Sequence, residues 1–250
     1  MASWSDLKQE LILWDSHNLS IYMWWRDDDA VQFTPELQLL LNLAKTNHCP
    51  ITLAVIPYAN QLKLDDMIHN EYELSIVQHG YRHHNHETYP TKKSEFGLNR
   101  SLSDSIDDLH EGQLLMKKVF GPYALPVLVP PWNRIDDRII DYLPSLGFKG
   151  LSTFGTDKIG LKKGILQWNC HIDPINWHQG KSFYGESQVI DMILHEIQKR
   201  RFNSSSHNPL GLLTHHLIHD KNCWNFIQNL LDFSQNYSCI QWISLKSFIK

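Results

Sequence analysis

Two polar clusters in this chain sit directly behind apolar runs, and their residue types are those of a metal-dependent hydrolase. The first, Arg26-Asp27-Asp28-Asp29, follows Ile21-Tyr22-Met23-Trp24-Trp25. The second, His79-Gly80-Tyr81-Arg82-His83, follows Leu74-Ser75-Ile76-Val77. Adjacent carboxylates and two imidazoles four residues apart can build an Asp-His-His site for a divalent ion and leave one carboxylate over. That spare carboxylate can serve as the base for a water molecule activated by the ion. In a regular strand Asp27 and Asp29 point one way and Asp28 the other, so the backbone must bend at the strand end for neighbouring acids to share a site. Taken alone, the acidic run also fits a solvated turn or a cap near Thr34. The HxxxH pair is only moderately specific, and spacing does not exclude His84 or His86 as ligands.

Two further segments carry candidate groups. Leu212-Leu213-Thr214-His215-His216 ends another apolar run, and a histidine there can protonate a leaving group or form a buried polar pair. Val129-Pro130-Pro131-Trp132-Asn133-Arg134 stiffens a strand exit with two prolines and presents Trp132. An indole held in that way suits stacking on a sugar ring, although a lone tryptophan is more often a core residue.

The elements that must position these clusters alternate along the chain. Apolar strand-like runs are read at 21–26, 51–56, 73–78, 127–129, 148–152, 165–171, 210–214 and 239–245. Helical spacing is read from Thr34-Pro35-Glu36 onward, through 59–69, and at 103–120, 138–146, 187–201 and 224–233. Such alternation predicts an α/β fold with a parallel sheet, and seven or eight units predict a (β/α) barrel. The polar clusters then fall at strand ends, where such a barrel gathers its active site. No internal repeat or long linker is present, so a single domain over 1–250 is expected. The tract 203–208 reads as a loop.

Composition narrows the function. With 42% hydrophobic residues there is ample core, and a formal net charge of −4 gives no basic excess for nucleic acid. No apolar run is long enough to predict a membrane span. The fifteen histidines are unusual, and seven of them fall within 79–86 and 215–219. Cys49, Cys170, Cys223 and Cys239 are widely spaced and read as reduced thiols of a cytoplasmic protein. Met1–Asn18 carries Asp6, Glu10 and Asp15 and lacks the pattern of a signal peptide.

In this order the segments resemble the polysaccharide deacetylase (NodB homology) family of carbohydrate esterases, recognised by five short motifs. Arg26-Asp27-Asp28-Asp29-Ala30 is similar to Thr-Phe-Asp-Asp-Gly, and His79 and His83 match His-x-x-x-His. Val129-Pro130-Pro131-Trp132 is similar to Arg-x-Pro-Tyr, Asp173-Pro174-Ile175-Asn176-Trp177 to Asp-x-x-Asp-Trp, and Leu213-Thr214-His215 to Leu-x-His. The resemblance implies a distorted NodB-like (β/α) barrel and hydrolysis of N- or O-acetyl groups on a sugar or glycan. It implies Asp29, His79 and His83 as ligands of a divalent metal, most often Zn2+, with Asp28 as base and His215 as acid. Pro131, Trp132, Arg134, Asp173 and Trp177 would line the substrate site. Three departures bear on this. An extra acid, Asp27, precedes the pair and Ala30 replaces the motif glycine, so the register is open by one residue. Val129 stands where the family has the arginine that steadies the base, leaving Arg26 or Arg134 to take over. Asn176 replaces the second acid of the fourth motif, expected to orient the catalytic histidine. The rival expectation is a carbohydrate-binding protein that kept the barrel and lost the chemistry.

Overall fold

The computed structural model describes residues 1–59, 64, 73–155, 164–202 and 208–249. Most of the helix expected at 59–69 and most of the loop at 203–208 lie outside the described residues. Strand β1, Ile21–Ala30, is the centre of the sheet. Apart from Tyr22, its aromatic and apolar residues are buried on both faces, which is what a parallel strand covered on each side requires. It pairs in parallel with β2 (Ile51–Val55), with β9 (Leu210–Thr214) along Met23–Asp27, and with β10 (Ile240–Trp242) at its start.

From β2 the parallel sheet continues through β3 (Leu74–His79), β4 (Ala124–Val129), β5 (Gly150–Leu151) and β6 (Leu166–Gln167). Beyond β6 the chain no longer forms a regular ladder, yet it spans the gap back to β9. Cys170 bridges Phe154 and Ile172 bridges Leu212. His171 and Ile172 donate N–H groups to the Gly211 carbonyl, and Leu213 N–H returns to Ile172. The result is the distorted (β/α) barrel expected, continuously laddered from β1 to β4 and stitched together by single bridges on its far side.

Helices cover the outside. The N-terminal helix α1, Trp4–Ser16, was not among the expected elements, although its signal is present. Ser3 and Asp6 form a capping box, and Leu7, Leu11 and Trp14 make the buried stripe. Glu10 is buried on the same helix and pairs with Arg201 of α5 (Glu186–Phe202), Nε and Nη2 reaching its two oxygens at 2.6 and 3.1 Å. Helix α2, Pro35–Thr46, starts at the expected Thr34 cap with proline in its first turn. Helix α3, Leu102–Phe120, ends at Gly121, whose φ of 51° favours glycine. Helix α4 is shorter than the expected 138–146: it covers only Asp137–Ile140. The chain then runs in turns through Pro144, which has no N–H to continue the helix. Helix α6, Lys221–Ser234, is capped by Asp220. Between β6 and α5, β7 (Ile175–Asn176) and β8 (Ser182–Phe183) form a small antiparallel hairpin.

Among the described residues no helix is long and apolar enough to cross a membrane. The four cysteines are free and buried.

Two histidines near the barrel rim accept backbone N–H groups, His171 Nδ1 from Gly211 at 3.1 Å and His219 Nε2 from His215 at 3.3 Å. Accepting requires a bare ring nitrogen. Burial pushes both imidazoles down to about 4 from 6.5. The unfolded chain therefore binds more protons between those values, and stability falls as the pH drops through that window. Urea unfolding should show a midpoint that declines steadily on acidification from pH about 6.5 to about 4. His219→Gln should flatten part of that decline, and an unchanged pH slope in the variant would refute the account.

Candidate active site

The end of β1 places three consecutive carboxylates at one spot, and each finds a different partner. Asp27 is fully buried and faces β9. It accepts hydrogen bonds from Thr214 Oγ1 at 2.7 Å, from the His216 backbone at 3.0 Å and from His216 Nδ1 at 2.5 Å. Burial alone would raise the Asp27 carboxyl, but the His216 charge and these donors hold it below the ordinary range. Burial would lower His216, and Asp27 overrides it and raises it. The pair is 0% and 1% exposed, so it lies behind the site.

Asp28 faces the opposite way and meets Arg26. Arg26 Nη2 donates to Asp28 Oδ2 at 2.9 Å, and Nε stands 2.8 Å from Oδ1. The guanidinium is fully buried and is held from its other edge by Ser152 Oγ at 2.6 Å and Asn133 Oδ1 at 2.7 Å. The position left open by Val129 is thus filled by Arg26. Arg134 is exposed and its Nη1 donates to the Lys93 carbonyl at 2.9 Å.

Asp29 escapes strand alternation because its φ is +69° and the β1–β2 register shifts between Asp27 and Ala30. Its Oδ1 lies 3.1 Å from His79 Nε2 and 3.3 Å from His83 Nε2. One ligand atom from each of Asp29, His79 and His83 falls within 4.8 Å of the others. His79 Nδ1 is 2.9 Å from the Val129 carbonyl. A carbonyl only accepts, so Nδ1 carries a ring proton and Nε2 is the nitrogen turned to Asp29, where a metal ligand would offer its lone pair on giving up any proton there. Two imidazoles and a carboxylate converging in this way fit a divalent ion. Burial works to raise Asp29, but the His79 hydrogen bond and the charges of His79, His215 and His83 leave it well below the ordinary carboxylate range.

His215 follows β9 and is nearly buried. Its ring meets Trp177 edge-on at 4.6 Å, and Trp177 Nε1 donates to Asp173 Oδ2 at 2.7 Å. Burial raises the Asp173 carboxyl, with the His215 charge acting against it. The acid facing His215 is therefore Asp173. Asn176 was expected to mark a lost support for the histidine, but its Oδ1 caps the N–H groups of His178 and Gln179 within the hairpin turn. On the other side Trp132, with φ +56°, packs 4.4 Å from the His83 ring, and Pro131 is buried beside Gly80. Asp28, Asp29, His79, His83, Trp132, Asp173, Trp177 and His215 are thus linked to one site by contact or by charge. The sequence reading missed Ser152, Asn133 and the Asp27–His216 pair. Asn133 lay within a quoted motif, whereas Ser152 is identifiable only from the barrel closure.

No family model matches the chain. A curated relative, germacrene A acid 8-beta-hydroxylase from Inula hupehensis, is 29% identical over 90 residues, 35% of this chain. The match spans only 15% of that relative's length. Solved structures align over most of the chain. A protein of Mycobacterium smegmatis assigned to the polysaccharide deacetylases superposes with a TM-score of 0.68 at 12% identity, covering 92% of this chain and 89% of that one. The family 4 carbohydrate esterase from Streptomyces lividans, solved with acetate, gives 0.57 at 12% identity over 89% and 91%. A pseudoenzyme of the same family, in a mutant with restored activity, gives 0.59 at 13% identity over 93% of this chain and 68% of its own. The chain has the barrel of the family 4 polysaccharide deacetylases.

Proposed function

We propose that this protein is a metal-dependent deacetylase acting on an acetylated sugar or glycan, built as one domain. The observation that carries the reading is the division of labour at the end of β1, with Asp29 beside two imidazoles and Asp28 beside a buried guanidinium. The likeness in fold to carbohydrate deacetylases, one of them solved with acetate, supports the substrate class. Asp29, His79 and His83 would hold the ion, and two nitrogens with one carboxylate suit Zn2+. A bound ion of that kind polarises the acyl carbonyl and acidifies water.

The chain's own residues supply the proton transfers. Asp28, oriented by Arg26, takes a proton as water adds to the acyl carbon. His215, facing Asp173 and packed on Trp177, gives a proton to the departing amine or alcohol as the carbon–nitrogen or carbon–oxygen bond breaks. Acetic acid and the free amine or hydroxyl result; the acid then loses its proton to the amine or to solvent, and exchange with solvent returns Asp28 to the carboxylate and His215 to its protonated form, so atoms and charge balance. Trp132 and Trp177 flank the centre and offer aromatic faces to a sugar ring. Four reduced, buried thiols are in keeping with work in the cytoplasm.

One rival is a binding protein without turnover, favoured by the likeness to a pseudoenzyme. Release of acetate from a panel of acetylated sugars, by metal-loaded and metal-stripped protein, separates the two. No acetate from any of them under metal loading would leave the binding reading.

Elemental analysis should find close to one divalent ion per chain, lost on chelation. His79→Ala and His83→Ala should each weaken its retention, and full retention in both would remove the ligand assignment. Asp28→Asn should cut turnover by about 10²–10⁴-fold with the ion kept. Asp27→Asn leaves His216 without its buried partner and should cost about 3–5 kcal/mol of stability in a denaturant titration. Loss of the ion in Asp28→Asn, together with an inactive but stable Asp27→Asn, would instead move the base to Asp27.

His215→Ala should remove most of the turnover without weakening the ion. His216→Ala should act mainly on stability, since it strands a buried carboxylate. The reverse pattern in kcat and unfolding midpoint would reject the assignment of His215 as the acid.

A further inference from the structure

The two imidazoles of the proposed metal site are oriented in different ways. His79 is held by its own ring, through Nδ1 and the Val129 carbonyl. His83 has ring contacts with His79 at 5.1 Å and with Trp132 at 4.4 Å, and its direction is set by the backbone that carries it. That backbone is unusual: Gly80 has φ +57° and His83 φ +56°, a left-handed conformation that non-glycine residues rarely adopt.

A single buried carboxylate lies inside this turn. Glu95 is 0% exposed and accepts N–H groups from Tyr81 at 3.1 Å and Arg82 at 2.8 Å, with His84 N–H at 3.5 Å. Consecutive backbone N–H groups converging on an anion form a concave nest, here wrapped around an internal side chain. The fit is close, since a Cβ on Gly80 would come within 2.0 Å of Glu95 Oε2 and 2.5 Å of the Pro131 ring. Glu95 itself is fixed because its neighbour Phe96 bridges Ile135. Gln78 secures the start of the turn by donating to the Gly80 carbonyl at 2.9 Å.

We infer that Glu95 is a positioning residue for the metal centre, fixing the left-handed turn that points His83 Nε2 at Asp29. The inference rests on the proposed metal reading. Outer contacts that orient a ligand typically change metal affinity by about 10–100-fold when removed. Glu95→Gln keeps the shape but places an amide N–H group among donors that need an acceptor, so at least one of them is left unpaired.

The test is a Co2+ titration of the full chain, followed by the visible absorption of the bound ion, on the parent, Glu95→Gln, His83→Ala and the double variant. Glu95→Gln should weaken Co2+ binding by about 10–100-fold and shift the spectrum toward that of His83→Ala. In the His83→Ala background the same substitution should have little further effect, because its action runs through His83. An affinity within about twofold of the parent, or an equal loss in both backgrounds, would overturn the inference. Should Glu95→Gln not fold, Glu95→Asp serves in the same cycle: its shortened carboxylate withdraws from the N–H groups while keeping the charge. A parent that binds neither Co2+ nor Zn2+ would bring down the metal reading first and this inference with it. Binding by the parent with an indifferent Glu95 variant overturns the inference alone.

Discussion

Packing three consecutive carboxylates at one strand end, two buried and the third half-buried, is the constraint on which the rest of this structure depends. Unpaired, each would cost several kcal/mol, and like charges so close would drive one another neutral. The chain answers with three separate partners from three directions. Asp27 turns to Thr214 and His216 on the β9 side, Asp28 to Arg26, and Asp29 to His79 and His83. Only a bend can send Asp28 and Asp29 to adjoining places, and the positive φ at Asp29 with the register shift toward Ala30 supplies it. The Asp27 pairing also ties β1 to β9 immediately below His215, so the same constraint that holds the proposed ligand fixes the proposed acid.

The arginine swap follows from this geometry. In a parallel barrel, residues at the ends of neighbouring strands converge on one layer, so a guanidinium can reach Asp28 from several origins. Arg26 lies two residues before Asp28, on the same face of β1, and needs no excursion to pair with it. Its remaining donors are satisfied by Ser152 and Asn133, from the ends of β5 and β4. The departure at Val129 therefore costs the site little, and the Val129 backbone carbonyl still does local work by orienting His79.

Much of this was legible in the sequence, for a physical reason. Parallel strands buried on both faces are written as continuous apolar runs, and polar groups straight after them stand out; β9 at 210–214 and the cap of α2 at Thr34 were read to the residue. What was not legible depends on contacts distant in sequence. The far wall of the barrel is made by single bridges at Cys170 and Ile172, too short to leave a pattern. Asp27 and His216 are 189 positions apart, and nothing local marks them as partners. Asp173 and Asn176 looked like a weakened pair because the motif was read as letters. In space Asn176 closes a turn and Asp173 alone meets Trp177 and His215. Helix α1 was missed although its capping box was in view, because its charged residues had been weighed only against a signal peptide.

The shared barrel does not by itself decide between turnover and binding, since proteins with this fold include a pseudoenzyme. The decision rests on what the side chains cost. A sugar-binding surface can be made from exposed tryptophans and neutral hydrogen-bonding groups, which need no buried charge. This chain instead keeps Arg26 and Asp28 at 0% and 2% exposure, a pair whose desolvation penalty a hydrophobic replacement of similar size would avoid. It also keeps a carboxylate and two imidazoles pressed together beside that pair, and a histidine backed by the half-buried Asp173. Such an arrangement is poor value for stability alone. It has a use where a proton must be taken at one point and delivered at another, which is what the proposed hydrolysis asks of it.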